Sequence, residues 1–402
     1  FRYGVQVNSL GLTEQQPENN VYRILIEMLA VTLSKRARAR AVQLPAWNEA
    51  LGLPRPWDQQ WSMRMQQIMA FETDLLEYED LFDGNPTIEA KVARLKDEAR
   101  HELASLDALG GAIEAIGYMK SRLVESNTQR LNKIASKETT VVGVNKFTTG
   151  EPSPLTAGDG GIMTVDPAVE QDQVDRLNAW RSARDDASVA AALRSLRAAA
   201  RAGENIMPAS IAAAKAGVTT GEWAAQMRLI YGEYRGPTGV AHGVSNQSEG
   251  LDEIRDAVDL VSQKLGRRLG FLMGKPGLDG HSNGAEQIAA RARDCGMKIA
   301  YDGIRLTPEQ LIASVQEHKP HVIGLSILSG SHMPLVEDMM KRLQLAQLDN
   351  IPVVVGGIIP QEDMIRLTAM GVAKIYTPKD FELNAIMMDI VSLADPTDLA
   401  AE

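Results

Sequence analysis

A single cysteine, Cys295, stands among 402 residues, so no internal disulfide can form and the chain suits a reducing compartment, the cytoplasm. Aromatic residues are scarce at 5%, which leaves Leu, Ile, Val, Ala and Met to build the core. Basic charge is in deficit: 42 Lys and Arg against 52 Asp and Glu give a formal −10, which argues against a general nucleic-acid binder with its basic footprint. No apolar run reaches the roughly 18 residues of a membrane span. The longest, around Val322–Ile327 and Val353–Gly357, are strand-sized, so no membrane partner is expected. Internal repeats, a Met start and a signal-peptide pattern are all missing, and the sequence opens on Phe1-Arg2-Tyr3-Gly4 as if inside a larger fold. What remains is an ordinary globular balance, 44% hydrophobic and 23% charged, at a length suited to two or three domains.

Three regions differ in texture. Residues 1–150 alternate short extended stretches (3–9 and 38–44) with helical patterns, the first placing Val21, Ile24, Leu25, Met28, Leu29 and Leu33 on one face. A helix over 61–76, a third short segment near Leu81, and long helices over 88–109 and 112–135 follow. This is the rhythm of βα units, too few to close a barrel alone. Residues 151–266 read as a helical linker region, with a Gly- and Pro-rich start, Ala- and Arg-rich helices over 174–202, 206–216 and 220–234, and a loose segment over 236–250. Residues 267–402 alternate continuous apolar runs (269–273, 298–301, 321–326, 352–355 and 374–376) with helical stretches. Strands without polar alternation, each followed by a helix, imply a parallel sheet buried on both faces, a flavodoxin-like doubly wound α/β domain.

In such a sheet the ligand lies outside the carboxyl ends of the strands. The loop after the first strand carries Lys275, Asp279, Gly280, His281, Ser282 and Gly284. Ser326, Leu328 and Gly330 stand at the end of the third, Gly356 and Gly357 at the fourth, Tyr376 and Thr377 at the fifth. Singly, each has a bland reading: a turn-forming Asp beside a solvated His, or a strand ending in a glycine turn. Gathered on one edge of one sheet, the bland reading loses its force.

The motifs Asp279-x-His281-x-x-Gly284, Ser326-x-Leu328 and Gly356-Gly357 resemble the cobalamin-binding domain of proteins that hold B12 with a protein histidine on cobalt. The resemblance implies His281 as the lower axial cobalt ligand and a slot lined by Ser326, Gly356 and Gly357 for the displaced nucleotide tail. The residue types make chemical sense. A neutral imidazole ligates metal well, and a carboxylate receiving its other N–H fixes the tautomer. Asp279 fits that role, Lys275 would keep it ionised, and the glycines would let backbone approach a bulky ligand. His332 reads as a loop residue near the ligand.

The first region narrows the resemblance. Val7-Asn8-Ser9-Leu10-Gly11-Leu12-Thr13, Asn48-Glu49-Ala50-Leu51-Gly52-Leu53-Pro54 and Gly143-Val144-Asn145-Lys146-Phe147 resemble segments in and after the last strands of the barrel of the methylmalonyl-CoA mutase family. The implied architecture is the C-terminal part of a TIM (β/α)8 barrel, a helical linker and a flavodoxin-like (Rossmann-like) cobalamin-binding domain. Two departures matter: Gly4 stands where that family carries a histidine two residues before Gln6, and residues 39–45 replace its next strand. The version here resembles the branch that acts on ethylmalonyl-CoA. The implied activity is an adenosylcobalamin-dependent radical rearrangement of an acyl-CoA, ethylmalonyl-CoA to methylsuccinyl-CoA. Methylmalonyl-CoA, isobutyryl-CoA and, more remotely, a corrinoid methyl carrier are the alternatives. On the barrel side the resemblance assigns Glu49 to the adenosyl ribose, against the bland reading of a surface acid, and sets Gln6 and Asn8 at the barrel mouth. It also implies a homodimer. A chain with only the last barrel strands is expected to bind the cofactor without turning over.

Overall fold

The computed structural model describes residues 2–157, 160–164, 166–240, 250–380 and 382–397. Strand β1 (Gly4–Gln6) is followed by helix α1 (Asn19–Leu33) and by β2 (Ala41–Gln43), which pairs with β1 in parallel from Gly4↔Ala41 to Gln6↔Gln43. Parallel neighbours need a crossover, and the amphipathic α1 supplies it, burying Ile24 and Met28 against Trp47, Met65 and Met69. Asn20, buried at the start of α1, donates to the carbonyls of Thr13 (2.8 Å) and Trp47 (2.9 Å) and so fixes the loops on either side. Helices α2 (Pro56–Phe71), α3 (Pro86–Ala108) and α4 (Ile116–Ala135) follow. The short segment expected near Leu81 is a series of turns, and the preceding helix stops at Phe71. There the Asp80 carboxylate accepts the backbone N–H groups of Arg36 and Phe82 (both 2.8 Å), which holds a turn where a strand would need ladder partners.

Residues Thr164–Gly236 are a compact unit of their own, made of α5 (Pro167–Ala183), α6 (Asp186–Arg201), α7 (Met207–Lys215) and α8 (Thr220–Tyr231). Its core is Leu196, Ala200 and Met227 with Leu193, Ile206 and Trp223 around them. The single helix expected over 174–202 is two helices. Arg184 is extended, and Asp185 caps α6 by accepting from the N–H groups of Ala187 and Ser188. The Arg184 guanidinium then reaches Glu222 with two hydrogen bonds (2.6 and 2.7 Å), a fork that a continuous helix would not offer.

The remaining chain returns to the first unit. Its elements are α9 (Leu251–Lys264), β3 (Gly270–Gly274), α10 (Asn283–Asp294), β4 (Lys298–Ala300), α11 (Pro308–His318), β5 (Val322–Ile327), α12 (His332–Leu345), β6 (Val353–Gly357), α13 (Gln361–Ala369), β7 (Lys374–Tyr376) and α14 (Leu383–Leu393). The five strands are parallel in the order β4-β3-β5-β6-β7, the doubly wound order expected from the apolar runs. Alternate residues of β3 serve opposite faces: Phe271 and Met273 enter the core with α9, α10 and α14, whereas Leu272 enters the core with α11, α12 and α13. Helix α9 lies inside the stretch expected as linker, yet its buried Ile254, Val258 and Val261 belong to the sheet's core. The expected loose segment over 236–250 lies largely outside the described residues. Helix α4 meets α10 through polar contacts: Lys120 pairs with the buried Glu286 (2.6 Å), and Thr128 donates to Gln287 (2.8 Å). No described helix is long and apolar enough to cross a membrane.

Candidate functional site

The reversal of winding falls between β3 and β5, and the loops leaving these two strands meet at the carboxyl edge. Lys275, the first residue after β3, is fully buried, and its ammonium donates to Asp279 Oδ2 (2.7 Å) and to the Ser326 carbonyl (3.4 Å). Asp279 Oδ2 also receives the backbone N–H of Leu328 (3.2 Å), which ties the two loops together. Its other oxygen, Oδ1, accepts the backbone N–H of His281 (3.0 Å) and faces His281 Nδ1 at 2.7 Å. Burial alone would raise the Asp279 carboxyl, but the bonds from Lys275 and from the backbone and ring of His281 outweigh it. They hold its pKa well below the usual carboxylate range. An ionised carboxylate only accepts, so the Nδ1–H of His281 is the donor and a neutral ring keeps its lone pair on Nε2. The His281 side chain is 79% exposed against 4% for Asp279. A rigid, buried Lys–Asp brace thus presents one imidazole nitrogen outward.

The other expected site residues fall around this brace. Ser282 precedes α10 without capping it through its side chain, and Gly284 is its second residue, with open space where a Cβ would be. Gly280 lies against Arg305, whose guanidinium would be 3.1 Å from a Cβ there. Ser326 is buried in β5 and paired with Gly356; Ile327 is paired with Gly357. Gly330 faces the Leu53 side chain, 3.2 Å from where its Cβ would stand. The Tyr376 hydroxyl is taken by Asp389 of α14 (3.1 Å), and Thr377 forms a turn by donating its N–H to Asp380 (2.7 Å).

The double glycine divides. At Gly356 a side chain would meet nothing within 4 Å, whereas at Gly357 it would collide with the Ile327 carbonyl on the neighbouring strand. At Gly357 the sheet itself thus forbids a Cβ, whatever the glycine faces beyond it.

Of the barrel-side residues, Glu49 comes within electrostatic reach of His281: burial raises its carboxyl pKa, while His281 and a hydrogen bond from Ser9 pull it down. Asn8 spends its side chain locally, accepting from Leu10 N–H (3.1 Å) at a tight turn. Among the described residues no hydrogen bond joins Gln6 or Asn8 to the His281 loop. His332 is not a loop residue. It is the first residue of α12, 4% exposed, with Nε2 donating to Asp363 (2.8 Å). Composition gives no signal for that pair, because Asp363 lies 31 residues away on another helix.

Comparison with known proteins fits this geometry. A family model described as methylmalonyl-CoA mutase matches residues 1–233, and one described as B12 binding domain matches residues 270–380. An ethylmalonyl-CoA mutase of Cereibacter sphaeroides is 72% identical over all of this chain and 62% of the relative. One of Methylorubrum extorquens is 62% identical over 98% of this chain and 58% of its own length. A methylmalonyl-CoA mutase of Escherichia coli is 32% identical over 98% of this chain and 55% of its own length. The chain spans less than two thirds of the length of these relatives.

Proposed function

This chain belongs to the methylmalonyl-CoA mutase family, and from that premise we propose that it is the cofactor-bearing part of an adenosylcobalamin-dependent acyl-CoA mutase that converts ethylmalonyl-CoA to methylsuccinyl-CoA. The observation that carries the proposal is the braced histidine at the carboxyl edge of a domain matched as B12 binding. The similarity to ethylmalonyl-CoA mutases supports the choice of acyl group.

The residues present fit a cobalamin. One protein nitrogen, His281 Nε2, is left with a lone pair on an exposed ring, which suits a metal whose other ligands come with the cofactor. Among the described residues no cluster of three or more His, Cys, Asp and Glu side chains forms a cage for a bare ion. When bound, the cofactor supplies a carbon-centred radical that the protein's own side chains cannot generate. In this reading Lys275 keeps Asp279 ionised, and Asp279 orients His281 and strengthens it as a ligand. The backbone at Gly280, Ser282, Gly284, Leu328 and Gly330 borders the bound group. Ser326, Gly356, Gly357, Tyr376 and Thr377 line the slot for its tail. Glu49, close to His281, contacts the adenosyl group from the barrel side, and Gln6 and Asn8 stand toward the substrate.

We further propose that residues 1–150 are barrel and following helices, that 151–266 are linker up to α9, and that the cobalamin domain of 267–402 takes α9 as its first helix. The assembly is proposed to be a cytoplasmic homodimer. The test uses the whole protein with adenosylcobalamin and, in turn, ethylmalonyl-CoA, methylmalonyl-CoA and isobutyryl-CoA. Conversion of ethylmalonyl-CoA with a kcat/KM about tenfold or more above the others, a difference of about 1.4 kcal/mol, supports the assignment; a preference for methylmalonyl-CoA overturns it.

A further inference from the structure

The ends of β5 and β6 are paired at Ser326↔Gly356 and Ile327↔Gly357. From there the chain leaves as two arms, one running to His332 and the other to Asp363, and the arms rejoin through the His332 Nε2–H to Asp363 Oδ2 bond at 2.8 Å. The two strand ends and this hydrogen bond close a ring of chain beyond Ser326 and Gly356. His332 is nine-tenths buried, and with Nε2 donating, its other nitrogen must accept if the ring is neutral. Nδ1 is also buried and has no hydrogen-bond partner. A buried acceptor without a donor costs about 1–3 kcal/mol. Such a group is an expensive way to tie two loops, since an apolar contact would do so without the orphaned atom. It becomes sensible if a donor arrives with a ligand.

Resting on the cobalamin reading, we propose that His332 is a second recognition residue of the cofactor site: clamped by Asp363, it offers Nδ1 as acceptor to a hydroxyl or amide donor on the nucleotide tail. His281 answers the metal end of the cofactor and His332 the tail end. Asp363 acts through His332 and is a positioning residue; it also keeps a weak contact with Arg366 (3.4 Å).

The test compares binding of cobalamin and of cobinamide, which has the corrin ring and cobalt but no nucleotide tail, to the chain by optical titration. Two substitutions separate the functions of the ring. His332→Gln extends an amide toward Asp363 but removes the acceptor at the Nδ1 position; His332→Asn keeps an acceptor near that position and gives up the bond to Asp363. The expected result is that His332→Gln weakens cobalamin binding about tenfold, the worth of one buried hydrogen bond, and leaves cobinamide binding unchanged. His332→Asn retains most of the tail-dependent affinity. The inference is overturned if His332→Gln prefers cobalamin over cobinamide as strongly as the unsubstituted chain does. It is equally overturned if His332→Gln weakens both corrinoids alike, the mark of a merely structural residue. If the unsubstituted chain binds neither corrinoid, the cobalamin reading falls first and this inference with it.

Discussion

At the scale of single residues, the site is an electrostatic relay built from buried charge. Lys275 and Asp279 are out of water together, which is tolerable because each satisfies the other and Asp279 takes three further bonds from backbone and ring. The double glycine gives a sharp pair of predictions. Gly357→Ala drives a methyl into the Ile327 carbonyl and should destabilise the chain by about 3 kcal/mol or more, seen as a clear drop in melting temperature. Gly356→Ala meets open space and should melt as the parent does while losing affinity for cobalamin. Equal melting of the two variants would contradict the strand geometry, and undiminished cobalamin binding by Gly356→Ala would contradict the role given to that space. Both glycines stood out in the sequence, but not their difference. That depends on a carbonyl of a strand some thirty residues earlier, which no local pattern encodes.

At the scale of elements, sequence and structure agree where a run of residues carries its own reason. Strands β3 and β5 read as buried on both faces because, Ser326 apart, they are apolar throughout, and they are buried on both. Failures come where a distant partner decides. The break before α6 follows from the Asp185 cap and the Arg184–Glu222 fork, and α9 joins the sheet because Ile254, Val258 and Val261 find Phe271 and Met387. His321 shows the same logic between strands. Standing just before β5, it accepts the N–H of Gly270 at the start of β3 through Nδ1 (2.8 Å). Burial, reinforced by Arg267, lowers its pKa to about 4. The unfolded value is about 6.5, so the folded pKa is depressed. The stability from keeping this ring neutral is therefore complete above pH about 6.5 and is lost as pH falls toward 4. The melting temperature of the chain should fall across that window, and His321→Gln should flatten the fall; an identical slope in the variant would remove His321 from the account.

At the scale of the whole chain, residues 1–163 of the family match over 1–233 and the whole B12 binding match over 270–380 fall in one described unit, in which Lys120 of α4 pairs with the buried Glu286 of α10. Through that unit Glu49, from the barrel side, comes within electrostatic reach of His281, from the sheet side. In the proposed reading His281 and Glu49 would both border the cofactor. Everything in this arrangement depends on His281 Nε2 being the atom that meets the metal. The most direct test is the electron paramagnetic resonance spectrum of the chain reconstituted with cob(II)alamin, prepared with 15N-histidine and compared with His281→Ala. The account predicts a nitrogen splitting that changes with the histidine label and disappears in the variant. A splitting indifferent to the label, as from the cofactor's own benzimidazole, would contradict it.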